Sequence, residues 1–486
     1  MDIDTYRNKW WIMVAVSLTL FMGAVDGTIV NVALPTLAAE FNANFATVQW
    51  VVLAFLLGLS VLLLSVGRLA DMAGKKRIFA TGLLIFVIGS VLCGFAPSIY
   101  ALIAARLVQA IGAAMVIALG VAIVTETWPP QQRGQAIGFS AGVIALGIVI
   151  GPALGGLIIS ALSWRWIFFV NVPLGLLALF LIWRYIPPLQ PKSTHERFDF
   201  LGASVLGLGL LALLLALTVG QDLGFTDARI LALFAVAAAA LVVFIRVERR
   251  VPYPMVDLRL FRNVQFSLNL VTGLLTFVAI SAVTFLLPFY LQLALALPVA
   301  RVGLLIAIVP VVLAVLGPLS GSLSDRFGTR PVSVFGLILL LIGYLTASTM
   351  NETTTPLDYV LRMLPIGLGM GIFQSPNNSA VMGAVPRSRL GIASGMLSMT
   401  RTLGQTVGIA VLGAFFASRL VYYAGQPMDI SDAPAEAMVS ALHDQFLVVA
   451  ALIAVGLMLA LLAWRRERQH AAPLAAPVPL PPGERP

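Results

Sequence analysis

The sequence predicts an all-α polytopic membrane protein with fourteen transmembrane helices, on three observations. Hydrophobic residues make up 60% of the chain and charged ones only 10%, far outside the range of water-soluble domains. Apolar runs of about 20 residues, the length that crosses a bilayer, recur from Trp10 to Trp464 with short breaks between them. The basic residues also sort by loop. Of 30 Lys and Arg, 23 lie at the two ends and in one alternating set of loops. Four occupy the opposite loops (Arg165, Arg229, Arg301, Arg419) and three lie inside spans (Arg106, Arg362, Arg401).

The spans are centred near residues 22, 57, 87, 111, 147, 176, 210, 238, 278, 311, 341, 369, 404 and 454. The first, Trp10 to Pro35, is of full spanning length and runs straight into the next, so it reads as a span and not as a cleaved leader. Cytoplasmic loops carry the Lys/Arg excess, which puts both termini in the cytoplasm, as an even number of spans requires. The net charge of +9 is thereby topological and calls for no nucleic-acid partner. The single cysteine, Cys93, excludes an intrachain disulfide and reads as a small core residue. The tail 471–486 is rich in Pro and Ala and is expected to be disordered.

Two loops recur. Gly67-Arg-Leu-Ala-Asp71-Met-Ala-Gly74-Lys75-Lys76 after the second span matches Gly321-Ser-Leu-Ser-Asp325-Arg326-Phe-Gly328-Thr-Arg330 after the tenth. Pro130-Gln-Gln-Arg133 matches Pro386-Arg-Ser-Arg389, and Arg106 and Arg362 stand near the starts of the fourth and twelfth spans. Duplicated halves of six spans mark a transporter that holds substrate between them near the midplane. The expected organisation is a first bundle at 1–190, two inserted helices at 191–262 and a second bundle at 263–470. The loop glycines suit close approach and reversal. Asp71 and Asp325 suit a latch facing a helix amino terminus, against the plainer reading of a topology anchor.

The tight loop after the second span resembles the signature of the major facilitator superfamily. Gly147-Ile-Val-Ile-Gly151-Pro152-Ala-Leu-Gly155-Gly156 resembles the fifth-helix motif of its antiporters. Ala24-Val-Asp26-Gly-Thr28-Ile-Val-Asn31, Gln49-Trp50 and Trp164-Arg165-Trp166 through Asn171-Val-Pro173 resemble its fourteen-span drug/proton antiporter branch. The resemblance implies a major facilitator fold of two six-helix bundles with two extra central helices. It further implies export of a lipophilic compound driven by inward proton flow in the bacterial inner membrane, with the proton as coupling ion and no other cofactor. One departure stands out: the fourth-helix pattern Arg-x-x-Gln-Gly reads Arg106-Leu-Val-Gln109-Ala110 here.

Asp26 is the deepest acid in the chain, and an ionisable residue inside a span is by default a functional-site candidate. At 1.5 Å per residue, Asp26 and Arg106 reach a common depth. A nearby Arg favours the carboxylate anion while burial disfavours it, so the pair is a candidate proton switch; the plain alternative is a fixed ion pair joining two helices. By resemblance, Glu126 pairs with Lys75 as a conformational latch, against the equal alternative of a solvated interfacial acid; the recurring loop residues Gly67, Asp71, Gly74, Asp325 and Arg326 are the other latch candidates. Asn31, Gln109, Gln374, Arg401 and Gln405 are candidates for the substrate cavity, with helix-packing hydrogen bonds as the duller reading. Gly147, Gly151, Pro152, Gly155 and Gly156 allow close packing and a bend in the fifth helix. Phe277, Phe285, Phe289, Tyr290 and Phe373 are further candidates for an apolar lining.

With no second deep acid, and with Arg106 and Arg401 present, the cavity suits neutral, weakly anionic or monovalent lipophilic cargo. The expected partners are that cargo and membrane lipid, an accessory periplasmic protein being left open. An embedded enzyme would need ligating or nucleophilic residues at depth, whereas His195, His443 and His470 are expected in loops or tails. No phosphate loop supports a nucleotide-driven pump, and no polar filter supports a channel. Lipid or amphiphile export and proton-coupled import of a small metabolite are the alternatives within transport.

Overall fold

A computed structural model describes residues 8–129, 132–187, 200–251, 258–386 and 390–471. The first half contains α1 (Lys9–Phe41), α2 (Phe45–Ala73), α3 (Lys75–Gly94), α4 (Ile99–Thr127), α5 (Arg133–Ala161) and α6 (Trp166–Tyr185). Two further helices follow, α7 (Phe200–Leu223) and α8 (Ala228–Arg250). The second half contains α9 (Val264–Ala294), α10 (Val299–Phe327), α11 (Thr329–Ala347) and α12 (Pro356–Gly383). It ends with α13, which runs Leu390–Val407 and passes through a π-helical turn (Gly408–Leu412) into Gly413–Ala424, and α14 (Ala435–Ala471). Each of the fourteen expected centres falls inside one of these helices. Thirteen are long and apolar enough to cross a membrane. The fourteenth, α12, has its apolar run diluted by Gln374, Asn377 and Asn378 and packs against α10 and α11.

Prolines explain the two interrupted spans. A proline ring clashes with the carbonyl four residues back. Pro173 accounts for the break in α6 at Val170, just after Phe169, and Pro310 for the break in α10 at Ala307, just after Ile306.

The recurring loops are one-residue junctions. Gly74 (φ 93°) joins α2 to α3, and Gly328 (φ 86°) joins α10 to α11. That backbone region is open to glycine at little cost. The basic residue two positions on then ties each half to its last helix. Lys76 Nζ donates to the carbonyls of Trp183 (3.1 Å) and Ile186 at the end of α6. Arg330 Nε donates to Glu467 on α14 (2.7 Å) and its Nη1 to Asn269 on α9 (2.5 Å).

The start of α1, these junctions and the ends of α4 and α6 gather at one face of the molecule, here the terminal end; the opposite face is the distal end. At the distal end the two halves share one apolar core, from Ile29, Leu34 and Phe45 to Phe285, Phe289 and Phe416. Towards the terminal end the core divides. One cluster, around Phe79, Leu119 and Trp128, belongs to the first half; another, around Phe266, Val381 and Met396, to the second. Glycines report the same wedge. Gly156 on α5 faces Gly303 on α10, whereas Gly138, Gly142 and Gly317 further along these helices have open space beside them. On the other side of the seam, α7 packs on α2 and α13, and Trp50 Nε1 donates to Thr218 Oγ1 (3.0 Å).

His443 and His470 lie within the α14 range, not in a loop, while His195 lies outside the described residues. The His443 ring nitrogen Nδ1 sits 2.8 Å from the Ser348 carbonyl. The tail from 472 onward also lies outside the described residues.

Candidate functional site

Asp26 and Arg106 meet inside the first half. Arg106 Nη1 donates to Asp26 Oδ2 at 2.6 Å, and the side chains are 1% and 0% exposed. The two residues share the depth expected of them, and the packing of α1 on α4 brings them together. The same nitrogen donates to Gln109 Oε1 (2.6 Å), Arg106 Nε donates to the Val51 carbonyl (3.1 Å), and the guanidinium lies 4.2 Å from the Phe55 ring centre. The other carboxylate oxygen, Asp26 Oδ1, accepts from Gln109 Nε2 (2.8 Å) and Asn171 Nδ2 (3.2 Å). Ser90 Oγ accepts from both amides as well, at 2.9 and 3.4 Å. Five helices thus converge: α1 supplies the acid, α4 the Arg and Gln one turn apart on one face, α3 the serine, α6 the Asn at its break and α2 a backbone carbonyl.

Close packing permits this. A Cβ at Gly89 would stand 2.7 Å from the Gln109 backbone, so α3 and α4 touch and Ser90 comes within reach of Gln109. The Ala110 methyl, unusual for the resembling motif, is accommodated across the interface: Gly58 on α2 faces it, and a Cβ there would lie 2.7 Å from Ala110 Cβ. Both side chains are buried, and both carboxylate oxygens accept hydrogen bonds. Removing one partner of such a pair costs about 3–5 kcal/mol, because the other charge stays buried.

A cavity of about 180 Å³ lies at the seam between the halves. It is bordered by Asn31 and Phe55 from the first half and by Phe277, Gln374, Arg401 and Gln405 from the second. Arg106 also borders it, so the ion pair stands in and just behind its wall. Gln109, expected in the cavity, instead lies behind that wall as a ligand of Asp26, because it is 0% exposed and turned towards α3. Of the five candidate rings only Phe277 borders the cavity. Phe285 and Phe289 join Phe45, at 5.5 Å between ring centres in each case, in a distal plug with Phe416 (5.9 Å). Tyr290 donates to the Asn351 carbonyl (2.7 Å), and Phe373 is buried.

Lys75 pairs with Glu126, linking the start of α3 to the end of α4 within the first half. Gly67 and Asp71 lie in the last turns of α2, with their side-chain surroundings outside the described residues, and Asp325 and Arg326 are exposed at the end of α10. The glycine motif of α5 divides its work. Gly147, Gly151 and Gly155 face Ala24, Thr28 and Ile29 of α1, whereas Pro152 and Gly156 face Gly303 and Val299 of α10 across the seam.

Sequence reasoning missed Ser90 as a partner of Asp26, and it quoted Asn171 without assigning it a role. A polar residue at a proline-imposed helix break was the available signal for Asn171. Ser90 offered none, since its hydroxyl also donates to the Phe86 carbonyl (2.9 Å), as any helical serine does.

Comparison with known proteins agrees with this architecture. A family model described as Major Facilitator Superfamily matches residues 16–409 and 270–482. The riboflavin transporter RibZ of Clostridioides difficile is 32% identical over 86% of this chain and 90% of its own. The multidrug resistance protein Stp of Mycobacterium tuberculosis is 35% identical over 85% and 77%. Among solved structures, a bacterial homologue of the human lysosomal transporter Spinster, inward-facing and unoccupied, superposes with a TM-score of 0.70 at 16% identity, over 96% of this chain and 99% of that one. The duplicated halves, the seam cavity and these matches together place the chain in the major facilitator superfamily, as a multi-pass membrane transporter.

Proposed function

We propose that the protein exports lipophilic small molecules from the cytoplasm or inner leaflet in exchange for protons. It would do so by alternating access in the bacterial cytoplasmic membrane, with both termini inside and the proton as its coupling ion. The observation that carries this reading is the Asp26–Arg106 pair standing in the wall of the seam cavity. With Asp26 ionised, the charge of Arg106 is compensated and the wall accepts an apolar occupant. With Asp26 protonated, Arg106 keeps its bonds to the Val51 carbonyl and Gln109 but loses its counter-charge, and the first half's side of the cavity draws in water. A proton on Asp26 and an apolar body lying against the Arg106 wall then exclude one another, which is the requirement for exchange. With the terminal end in the cytoplasm, the plugged distal end and parted terminal end correspond to a cytoplasm-facing state.

The names of the multidrug relatives lean the same way. The riboflavin transporter relative favours a second reading, proton-coupled movement of a small metabolite. A wholly apolar groove between α5 and α10, bordered by Ile150, Leu154, Leu304 and Val311, favours amphiphile entry from the bilayer.

The test is dye efflux from reconstituted vesicles under an imposed pH gradient. Flux should collapse when the gradient is dissipated and should be lost in Asp26→Asn. Flux that persists without a gradient removes the exchange reading, and inward accumulation driven by the same gradient establishes import instead.

A further inference from the structure

Two guanidinium groups border the seam cavity, and only one of them is compensated. Arg106 is paired with Asp26. Arg401, on α13, has no ion-pair partner and no hydrogen-bond acceptor among the described residues; its neighbour is the Phe277 ring, 5.7 Å from the guanidinium carbon. Among the described residues no Asp or Glu borders the cavity, and Asp26 itself is buried behind its wall. The remaining wall is mainly aliphatic, with the amides of Gln374 and Gln405 contributed by the second half and that of Asn31 by the first. Asn31 Oδ1 is buried and without a partner.

An uncompensated cation within a membrane-spanning bundle is expensive and is retained where it meets a ligand. A guanidinium offers five donors in a planar fork and no acceptor. Its complement is an oxygen acceptor, and its field repels cations. We propose that the cargo of this cavity is a lipophilic molecule bearing a carbonyl or carboxylate oxygen that seats on the Arg401 guanidinium, its apolar body lying against Phe277, Phe55 and the aliphatic wall, and that lipophilic cations are excluded. The duplicated architecture sharpens this division of labour: the first half holds the titratable pair, and the second half holds the cargo's polar anchor.

The proposal adds a substrate class to the export reading but does not share its test, because binding is measured here with no gradient. The probes are 2-naphthamide, 2-naphthoate and 2-naphthylmethylammonium, one ring carrying a neutral acceptor, an anionic acceptor or a cation. Equilibrium binding to the full chain in lipid nanodiscs is measured against empty nanodiscs. The two acceptor probes should bind at least tenfold tighter than the ammonium. The amide against the carboxylate tells which acceptor the site prefers. Arg401→Gln should abolish the tenfold ordering, and Arg401→Lys should keep the ammonium excluded. Ammonium binding as tight as either acceptor probe in the unmodified protein overturns the proposal without recourse to any variant. So does an ordering that survives in Arg401→Gln. Loss of gradient-driven flux with the probe ordering intact would instead count against exchange alone.

Discussion

At the scale of single residues, the carboxylate of Asp26 shows how far one side chain depends on its neighbours. Its two oxygens accept from Arg106, Gln109 and Asn171, supplied by two other helices, and each donor is itself held by a further contact. Asp26→Asn leaves Arg106 buried and uncompensated. The variant should lose about 3–5 kcal/mol of stability along with its response to a pH gradient. Adding Arg106→Gln removes the stranded charge, so the double variant should regain most of the thermal stability in detergent but none of the coupled flux. A double variant no more stable than the single one would mean that the pair is not a thermodynamic unit. Ala110 makes a second residue-scale case. Its methyl fills the space that Gly58 leaves, so Gly58→Ala should destabilise by about 1–3 kcal/mol through overpacking. The same change combined with Ala110→Gly should be close to neutral in a melting experiment.

Helices carry the next level, and α5 is the informative one. Its small residues present two stripes: Gly147, Gly151 and Gly155 seat it on α1, while Pro152 and Gly156 seat it on α10 of the other half. Small residues let helices approach where lipid offers no hydrophobic drive. The motif was readable as packing, but the division between the stripes was not, because it depends on where α10 lies. Gly303→Ala places a methyl against the Pro152 carbonyl and Gly156. It should force α5 and α10 apart at the distal end and shift the molecule towards the distally open arrangement. Spin labels on the distal ends of α5 and α10 should report a lengthened distance; an unchanged distribution with retained folding would remove this contact from the gate.

For the molecule as a whole, the distal plug and the parted terminal end define a two-state device. Phe45 of the first half contacts Phe285, Phe289 and Phe416 of the second. Three such ring pairs contribute about 2–4 kcal/mol beyond their burial. That is a large part of the ~5.5 kcal/mol that separates a 99:1 from a 1:99 population. Phe45→Ala should therefore raise the distally open population. A cysteine at cavity-lining Thr284, introduced with Cys93 replaced by Ala, should be labelled severalfold faster by an impermeant maleimide added from the distal side. Equal labelling rates with and without Phe45 would assign the seal to other contacts, such as the Gln292 Nε2 donation to the Val32 carbonyl (3.1 Å).

Local chemistry determined the fourteen spans, the paired halves and the prominence of Asp26 from sequence alone. Span length, apolar composition and the cost of a buried charge act along the chain, before any contact between distant helices exists. The common depth of Asp26 and Arg106 was also accessible, since helical rise converts position into depth. What only the tertiary structure decided was lateral: that Gln109 turns to Asp26 rather than to the cavity, that Ser90 and Asn171 complete the cluster, and that Arg401 is left facing an open space. A helix sequence specifies depth closely but leaves its rotation to packing, and rotation decides which polar side chains meet one another and which are left for a ligand.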